Sequence, residues 1–262
     1  MTLPGESTVG PPLHEPIEVR HGGDGWERVS RDLRECGTAL LHTRLADWRP
    51  EEEDGPGLRR LLGRDWSRYL DVTHPDTRVR YAAFCALLRH AAGEMLGGDP
   101  GVLELSYGPA GRPYLRGCDR VDISLCHTGG LLLVGLTTRG LIGVDADLAD
   151  RQLSGSGLDG HMCTPYELVS LANLPELDRS PALVRLQTLK EAYGKAIGAE
   201  RRPRFTEFGF GPDGRPVKVR RPDGTPGASA EWAFRTFLLP NGYCVSAAVY
   251  DAGLAASFPH AT

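Results

Sequence analysis

Lysine is nearly missing from this chain: of its 30 basic residues only Lys190, Lys195 and Lys218 are lysines. Arginine supplies positive charge almost everywhere else. Two of the lysines fall five apart in Leu189-Lys190-Glu191-Ala192-Tyr193-Gly194-Lys195. Either three residues landed by chance, or this cluster needs a compact ammonium that can release a proton, which guanidinium scarcely does. Long apolar runs are absent too. The longest, Leu131 to Leu136, is far too short to cross a bilayer, and no basic-then-apolar leader pattern opens the chain. A cytoplasmic protein without a membrane role is the expectation.

The six cysteines (Cys36, Cys85, Cys118, Cys126, Cys163 and Cys244) form no C-x-x-C and no paired metal-ligand spacing. That excludes a cysteine zinc site and reads as buried thiols in a reduced compartment. A net charge of −4 excludes a chain-wide basic surface, so nucleic acid is not an expected partner. No internal repeat is present.

What is there sorts into segments. Residues 1–25, rich in Pro, Gly and Glu, read as a flexible tail. The run Glu51 to Asp54, followed by Gly55-Pro56-Gly57, reads as an acidic surface turn. From Asp76 to Leu96, Tyr81, Phe84, Leu88, Ala91 and Met95 recur at helical spacing before Gly97-Gly98. Arg78, Arg80 and Arg89 lie on that helix, as solvated charges or as anion ligands. Strands are predicted over Val102–Tyr107, Val121–Cys126, Leu131–Thr137 and Leu141–Asp147. Thr164-Pro165-Tyr166-Glu167 has the form of a capping box, and a further helix is predicted from Pro181 to Gly198. Strands follow over Arg204–Phe210, Pro216–Arg221, Glu231–Leu238 and Tyr243–Tyr250, with tight turns at Asp213-Gly214 and Asn241-Gly242. Short-turn strand pairs with helices between them predict an α+β fold with mostly antiparallel sheet.

Four segments carry candidate chemistry. In the strand Leu141–Asp147, Asp145 and Asp147 project from one face while Ile142, Val144 and Ala146 pack behind. Two hard oxygen ligands there suit Mg²⁺, and equally suit solvent. Glu191 and Lys195 are i,i+4 on one helix face, an ordinary stabilising pair or an acid–base pair. In Cys126-His127-Thr128-Gly129 a histidine sits where a strand meets a glycine turn, as a ligand for a phosphate or ribose or as a plain turn residue. In Gly111-Arg112-Pro113 an arginine on a stiff loop suits phosphate capture, or simply a turn.

Taken in order, these segments resemble the phosphopantetheinyl transferases of the larger, surfactin-synthetase-activating type. That family runs G-[KR]-P, S-H-[ST]-G, G-[IV]-D-x-[ED] and then K-E-[AS]-x-x-K. Here they appear as Gly111-Arg112-Pro113, Cys126-His127-Thr128-Gly129, Gly143-Val144-Asp145-Ala146-Asp147 and Lys190-Glu191-Ala192-Tyr193-Gly194-Lys195. The resemblance extends from about Arg64 to Tyr250. It implies two similar α+β halves packed pseudo-symmetrically, with halves of 26–139 and 140–262 and coenzyme A in the cleft between them. It implies a monomer that moves the phosphopantetheine arm of coenzyme A to a serine of an acyl or peptidyl carrier protein. By the same resemblance, Mg²⁺ is held by Asp145, Asp147 and Glu191. The nucleotide is held by Gly111, Arg112, Pro113, Cys126 and His127, and the 3′-phosphate by Arg80 with Arg64. Lys195 serves the departing phosphate and Glu191 takes the serine proton. Four departures stand out: Cys126 for serine, Gln187 for tryptophan, Asp147 for glutamate, and Gly198-Ala199-Glu200-Arg201-Arg202 after the second lysine. A decayed or repurposed relative that only binds coenzyme A or a carrier is the other reading.

Overall fold

The computed structural model describes residues 12–20, 23, 25–50, 52, 54–98, 103–108, 112–118, 120–198, 204–211, 214–251 and 253. Gly111, most of the tail, and residues 199–203 after the second lysine lie outside the described residues.

In chain order the elements are β1 (Ile17–Glu18), α1 (Gly25–Cys36), β2 (Thr38–Arg44), α2 (Pro56–Leu62), α3 (Trp66–Asp71), α4 (Pro75–Leu96), β3 (Leu105–Tyr107) and β4 (Pro113–Leu115). There follow β5 (Asp122–Thr128), β6 (Leu131–Thr137), β7 (Gly140–Leu148), α5 (Asp159–Met162), α6 (Pro165–Ala172), α7 (Glu176–Ala196), β8 (Trp232–Leu238) and β9 (Tyr243–Asp251). Strand order is β1-β2-β6-β5 in one sheet and β7-β9-β8 in another, with β3 and β4 paired by themselves. All pairings are antiparallel except β1 with β2. The α+β expectation with mostly antiparallel sheet holds.

Alternation along the strands builds the layers. Ala39 and Leu41 of β2 join Leu132, Val134 and Leu136 of β6 beneath α1 and α4. Leu40, Leu131 and Leu133 face the other way and meet Ile142, Val144, Val245, Ala247 and Val249 of the second sheet. That sheet's far face packs on α7 through Leu189, Ala192, Tyr193 and Ala196. The order of layers is therefore helices, sheet, sheet, helix. The two sheets approach closely at Gly135, where a Cβ would stand 2.6 Å from Val144 Cγ1. Among the described residues no helix is long and apolar enough to cross a membrane.

The capping box is realised: Thr164 Oγ1 accepts from the Glu167 N–H, and Glu167 accepts from the Thr164 N–H. Two expectations need correction. The strands predicted over Arg204–Phe210 and Pro216–Arg221 are instead a 3₁₀ turn at Phe205–Glu207 and two isolated bridges, Phe210 with Pro216 and Arg220 with Pro226. Prolines at the bridge positions have no N–H for a ladder. Helix α7 begins at Glu176 and contains Pro181, rather than starting there. The expected starting proline lies one turn inside, where only a single early hydrogen bond is lost.

Candidate active site

β7 is the outer strand of its sheet, and its free edge meets β5. Asp122, Ser124, Cys126 and Thr128 alternate along β5 and so project to one side. Asp122 Oδ2 accepts from the Ile142 N–H at 2.7 Å and Ser124 Oγ from the Val144 N–H at 3.0 Å. Thr128 Oγ1 donates to the Ala146 carbonyl at 2.6 Å. These side chains satisfy an edge that a neighbouring strand would otherwise cover. Cys126, in the same row, donates from Sγ to Asp145 Oδ1 at 3.2 Å. Burial first, and then the Asp145 charge, push the Cys126 thiol up to about 12, so it stays protonated and a donor. A thiol is a weaker donor than a hydroxyl would be at this position.

The opposite side of β5 carries His127, which is exposed and meets Phe84 of α4 edge-on with ring centroids 6.2 Å apart. Arg80 lies one helical turn before Phe84. Burial, then the charges of Arg80 and Lys195, hold His127 below its ordinary 6.5. His127 of β5 is thereby close enough to feel Arg80 of α4 and Lys195 of α7. The latter two are cations, and a neutral imidazole stands beside them at neutral pH. Arg80 donates to Thr77 Oγ1 at 3.0 Å on its own helix.

Helix α7 can come down on β7 because residue 143 is glycine: a Cβ there would stand 2.6 Å from the Ala196 nitrogen and overlap the Ala192 carbonyl. That approach lets Lys195 Nζ donate to the Val144 carbonyl at 2.9 Å and to Asp145 Oδ1 at 2.7 Å. Burial works against the ammonium, but the charges of Asp145 and Glu191 and the hydrogen bond to Asp145 outweigh it. Lys195 therefore sits above its usual 10.5 and is charged at neutral pH. Glu191, half-buried one turn earlier, is near enough to contribute to that shift.

Asp147 is buried, accepts from the Leu148 N–H at 2.8 Å and pairs with Arg151. Among the described residues no three His, Cys, Asp or Glu side chains converge as a metal cage. Two hard carboxylates on one strand face nevertheless fit a Mg²⁺ that completes its shell with phosphate oxygens and water, the usual arrangement for this ion.

Other predicted residues fall elsewhere. Arg112 was expected at the nucleotide, but its guanidinium is engaged by the protein. It grips both oxygens of Asp122, the Ile142 carbonyl at 2.5 Å and the Lys195 carbonyl, tying β5, β7 and the end of α7 together. Pro113 opens β4 and is buried. Arg64 is exposed and pairs with Glu104 at 3.2 Å, as Arg116 also does at 3.7 Å. Lys190 is wholly buried: Nζ donates to Glu167 Oε2 at 2.5 Å, the Met162 carbonyl at 2.7 Å and the Phe205 carbonyl at 2.8 Å. The two lysines of the motif therefore serve different ends. Asp122, Ser124 and Thr128 were missed, although the alternating Asp-x-Ser-x-Cys-x-Thr pattern carries the signal.

Residues 141–248, which hold Asp145, Asp147, Glu191 and Lys195, match the model of the 4′-phosphopantetheinyl transferase superfamily. Two curated relatives agree. Over 146 residues the chain is 30% identical to slr0495 of Synechocystis, provisionally named a 4′-phosphopantetheinyl transferase, covering 55% of this chain and 59% of that protein. Over 129 residues it is 31% identical to the 4′-phosphopantetheinyl transferase HetI of Nostoc, covering 47% and 54%. The chain thus matches a little over half the length of each relative.

Proposed function

We propose that this chain is a 4′-phosphopantetheinyl transferase of the surfactin-synthetase-activating type. On this reading it transfers the phosphopantetheine arm of coenzyme A to a serine of an acyl or peptidyl carrier protein. The observation that carries the reading is the seam of α4, β5, β7 and α7, where Arg80, His127 and Lys195 gather beside Asp145 and Glu191. Such a mixed site suits a diphosphate and its metal, since cations can meet phosphate oxygens and carboxylates can meet the ion.

In this mechanism the serine Oγ attacks the phosphorus that bears the pantetheine arm. The bond from that phosphorus to the bridging oxygen breaks, and adenosine 3′,5′-bisphosphate leaves. Glu191, directly or through water, takes the serine proton. Lys195, held charged beside Asp145, neutralises or protonates the departing phosphate. Arg80 meets the 3′-phosphate and His127 the nucleotide end. Bound Mg²⁺, held by Asp145 and Asp147 with Glu191, would neutralise diphosphate charge during the transfer. Arg112 acts by positioning, since it fixes the backbone at both ends of the seam. A monomer of two similar halves, 26–139 and 140–262, with the cleft between them belongs to the same reading.

The test is release of adenosine 3′,5′-bisphosphate from coenzyme A, followed by chromatography with Mg²⁺ and apo carriers of the fatty-acid, polyketide and nonribosomal-peptide classes. Release that requires the carrier serine supports the proposal. Coenzyme A binding without release on any carrier would favour the non-enzymatic binding module instead.

A further inference from the structure

Helix α7 has a second working face. Ala182, Arg185, Leu186 and Leu189 recur at i, i+3, i+4 and i+7 and so lie along one side. Glu191 follows Leu189 by two residues, a rotation of about 200° around the helix, which turns it to the opposite side. Between that second face, α6 and the segment around Phe210 lies a cavity of about 490 Å³. This falls within the roughly 300–1,000 Å³ usual for small-molecule sites.

Its walls are aliphatic and aromatic: Leu171, Leu174, Ala182, Leu186, Leu189 and Phe210. Two charged residues also line it, and they differ. Glu167 is already satisfied: Oε2 takes the Lys190 ammonium and the Thr164 N–H, and Oε1 takes the Phe210 N–H. Arg185 has no such partner. Its Nε is buried without a hydrogen bond, and among the described residues its guanidinium meets no carboxylate. A buried donor left unmatched is costly. The cavity is therefore mostly apolar, with Ser170 and Asn173 in its lining and, among the described residues, a guanidinium that meets no carboxylate. A planar guanidinium answers a carboxylate with two parallel hydrogen bonds.

We propose that this cavity is a binding site for a small apolar carboxylate, an aliphatic chain ending in a carboxyl group. Arg185 receives the carboxylate, and the chain lies among Leu171, Leu174, Leu186 and Phe210. The site is independent of the transfer reading, because it lies on the other side of α7 and its test reads binding alone.

The probe is decanoate below its micellar concentration, with decanol as the uncharged partner of equal length, titrated into the full chain by calorimetry. Decanoate is expected to bind saturably and to raise Tm. Arg185→Gln should weaken decanoate roughly ten- to a hundredfold, the range for a charge-assisted hydrogen bond, and leave decanol within about twofold. Arg185→Lys, which keeps the charge, should retain more of the affinity than Arg185→Gln. Ala182→Trp, which fills the cavity, should abolish binding of both probes. The same decanoate affinity in wild type and Arg185→Gln would overturn the proposal, as would the lack of saturable binding to the wild type.

Discussion

Lys195 Nζ donates to Asp145 Oδ1 at 2.7 Å across the junction of α7 and β7, a contact that exists because Gly143 lets the helix touch the strand. The pair joins the two motifs that the sequence places fifty residues apart. It also holds the ammonium charged next to the carboxylate proposed for the metal.

The first prediction concerns what Lys195 contributes beyond charge. Lys195→Arg should bind coenzyme A within a few-fold of wild type. It should turn over at least about tenfold slower, a barrier about 1.4 kcal/mol higher, because guanidinium scarcely releases a proton. Single-turnover transfer and coenzyme A binding, measured side by side, check this. Unchanged turnover would reduce Lys195 to a structural partner of Asp145.

Arg80 is proposed to meet the 3′-phosphate. Arg80→Ala should therefore weaken coenzyme A roughly ten- to a hundredfold and 3′-dephospho-coenzyme A far less. Equal losses for the two ligands, measured by calorimetry, would move the phosphate elsewhere.

The buried pair of Lys190 and Glu167 predicts a stability effect. Lys190→Met leaves the Glu167 carboxylate buried without its cation and should cost about 3–5 kcal/mol in denaturant unfolding. The double variant Lys190→Met with Glu167→Gln should cost less than the sum of the single changes, since no charge is then stranded. Additive losses would mean that the two do not act as a pair.

His42 gives a pH signature. It is buried on β2, and burial, only partly opposed by the Glu18 charge, lowers it from 6.5. In acid the unfolded chain takes up a proton that the folded chain refuses. Stability tied to His42 is therefore complete above 6.5 and is lost as pH falls through that value toward the lowered one. Between pH about 7.5 and 5.5, wild type should lose stability relative to His42→Gln. Parallel pH profiles for the two proteins would contradict the assignment.

Much of this site was legible in the sequence, and the reason is local. The strand carrying Asp145 and Asp147 reads out by period two, and the helix carrying Glu191 and Lys195 reads out by its apolar repeat. Both periods survive folding because each element buries one face. Arg112 shows where such reading stops. A Gly-Arg-Pro turn points to an anion, yet Asp122, the Ile142 carbonyl and the Lys195 carbonyl claim the guanidinium, and only tertiary packing gathers those three acceptors. Lys190 is similar, since nothing adjacent in sequence announces that Met162, Glu167 and Phe205 surround it. The region before α4 was read least well. Trp26, Val29, Leu33 and Cys36 mark the buried side of α1 at helical spacing, but charged neighbours dilute the pattern. The proline-bearing bridges near Phe210 and Arg220 imitate strands because β-branched and aromatic residues flank them.

The most direct test of the account is the intact mass of an apo carrier protein after incubation with coenzyme A and Mg²⁺, run in parallel with the wild type and with Asp145→Ala. The wild type is expected to add the mass of one phosphopantetheine at the carrier serine. Asp145→Ala is expected to add none on the same timescale, because diphosphate charge is then left uncompensated in a partly desolvated seam. No mass gain with the wild type on any carrier class, or an equal gain with Asp145→Ala at saturating Mg²⁺, would contradict the account.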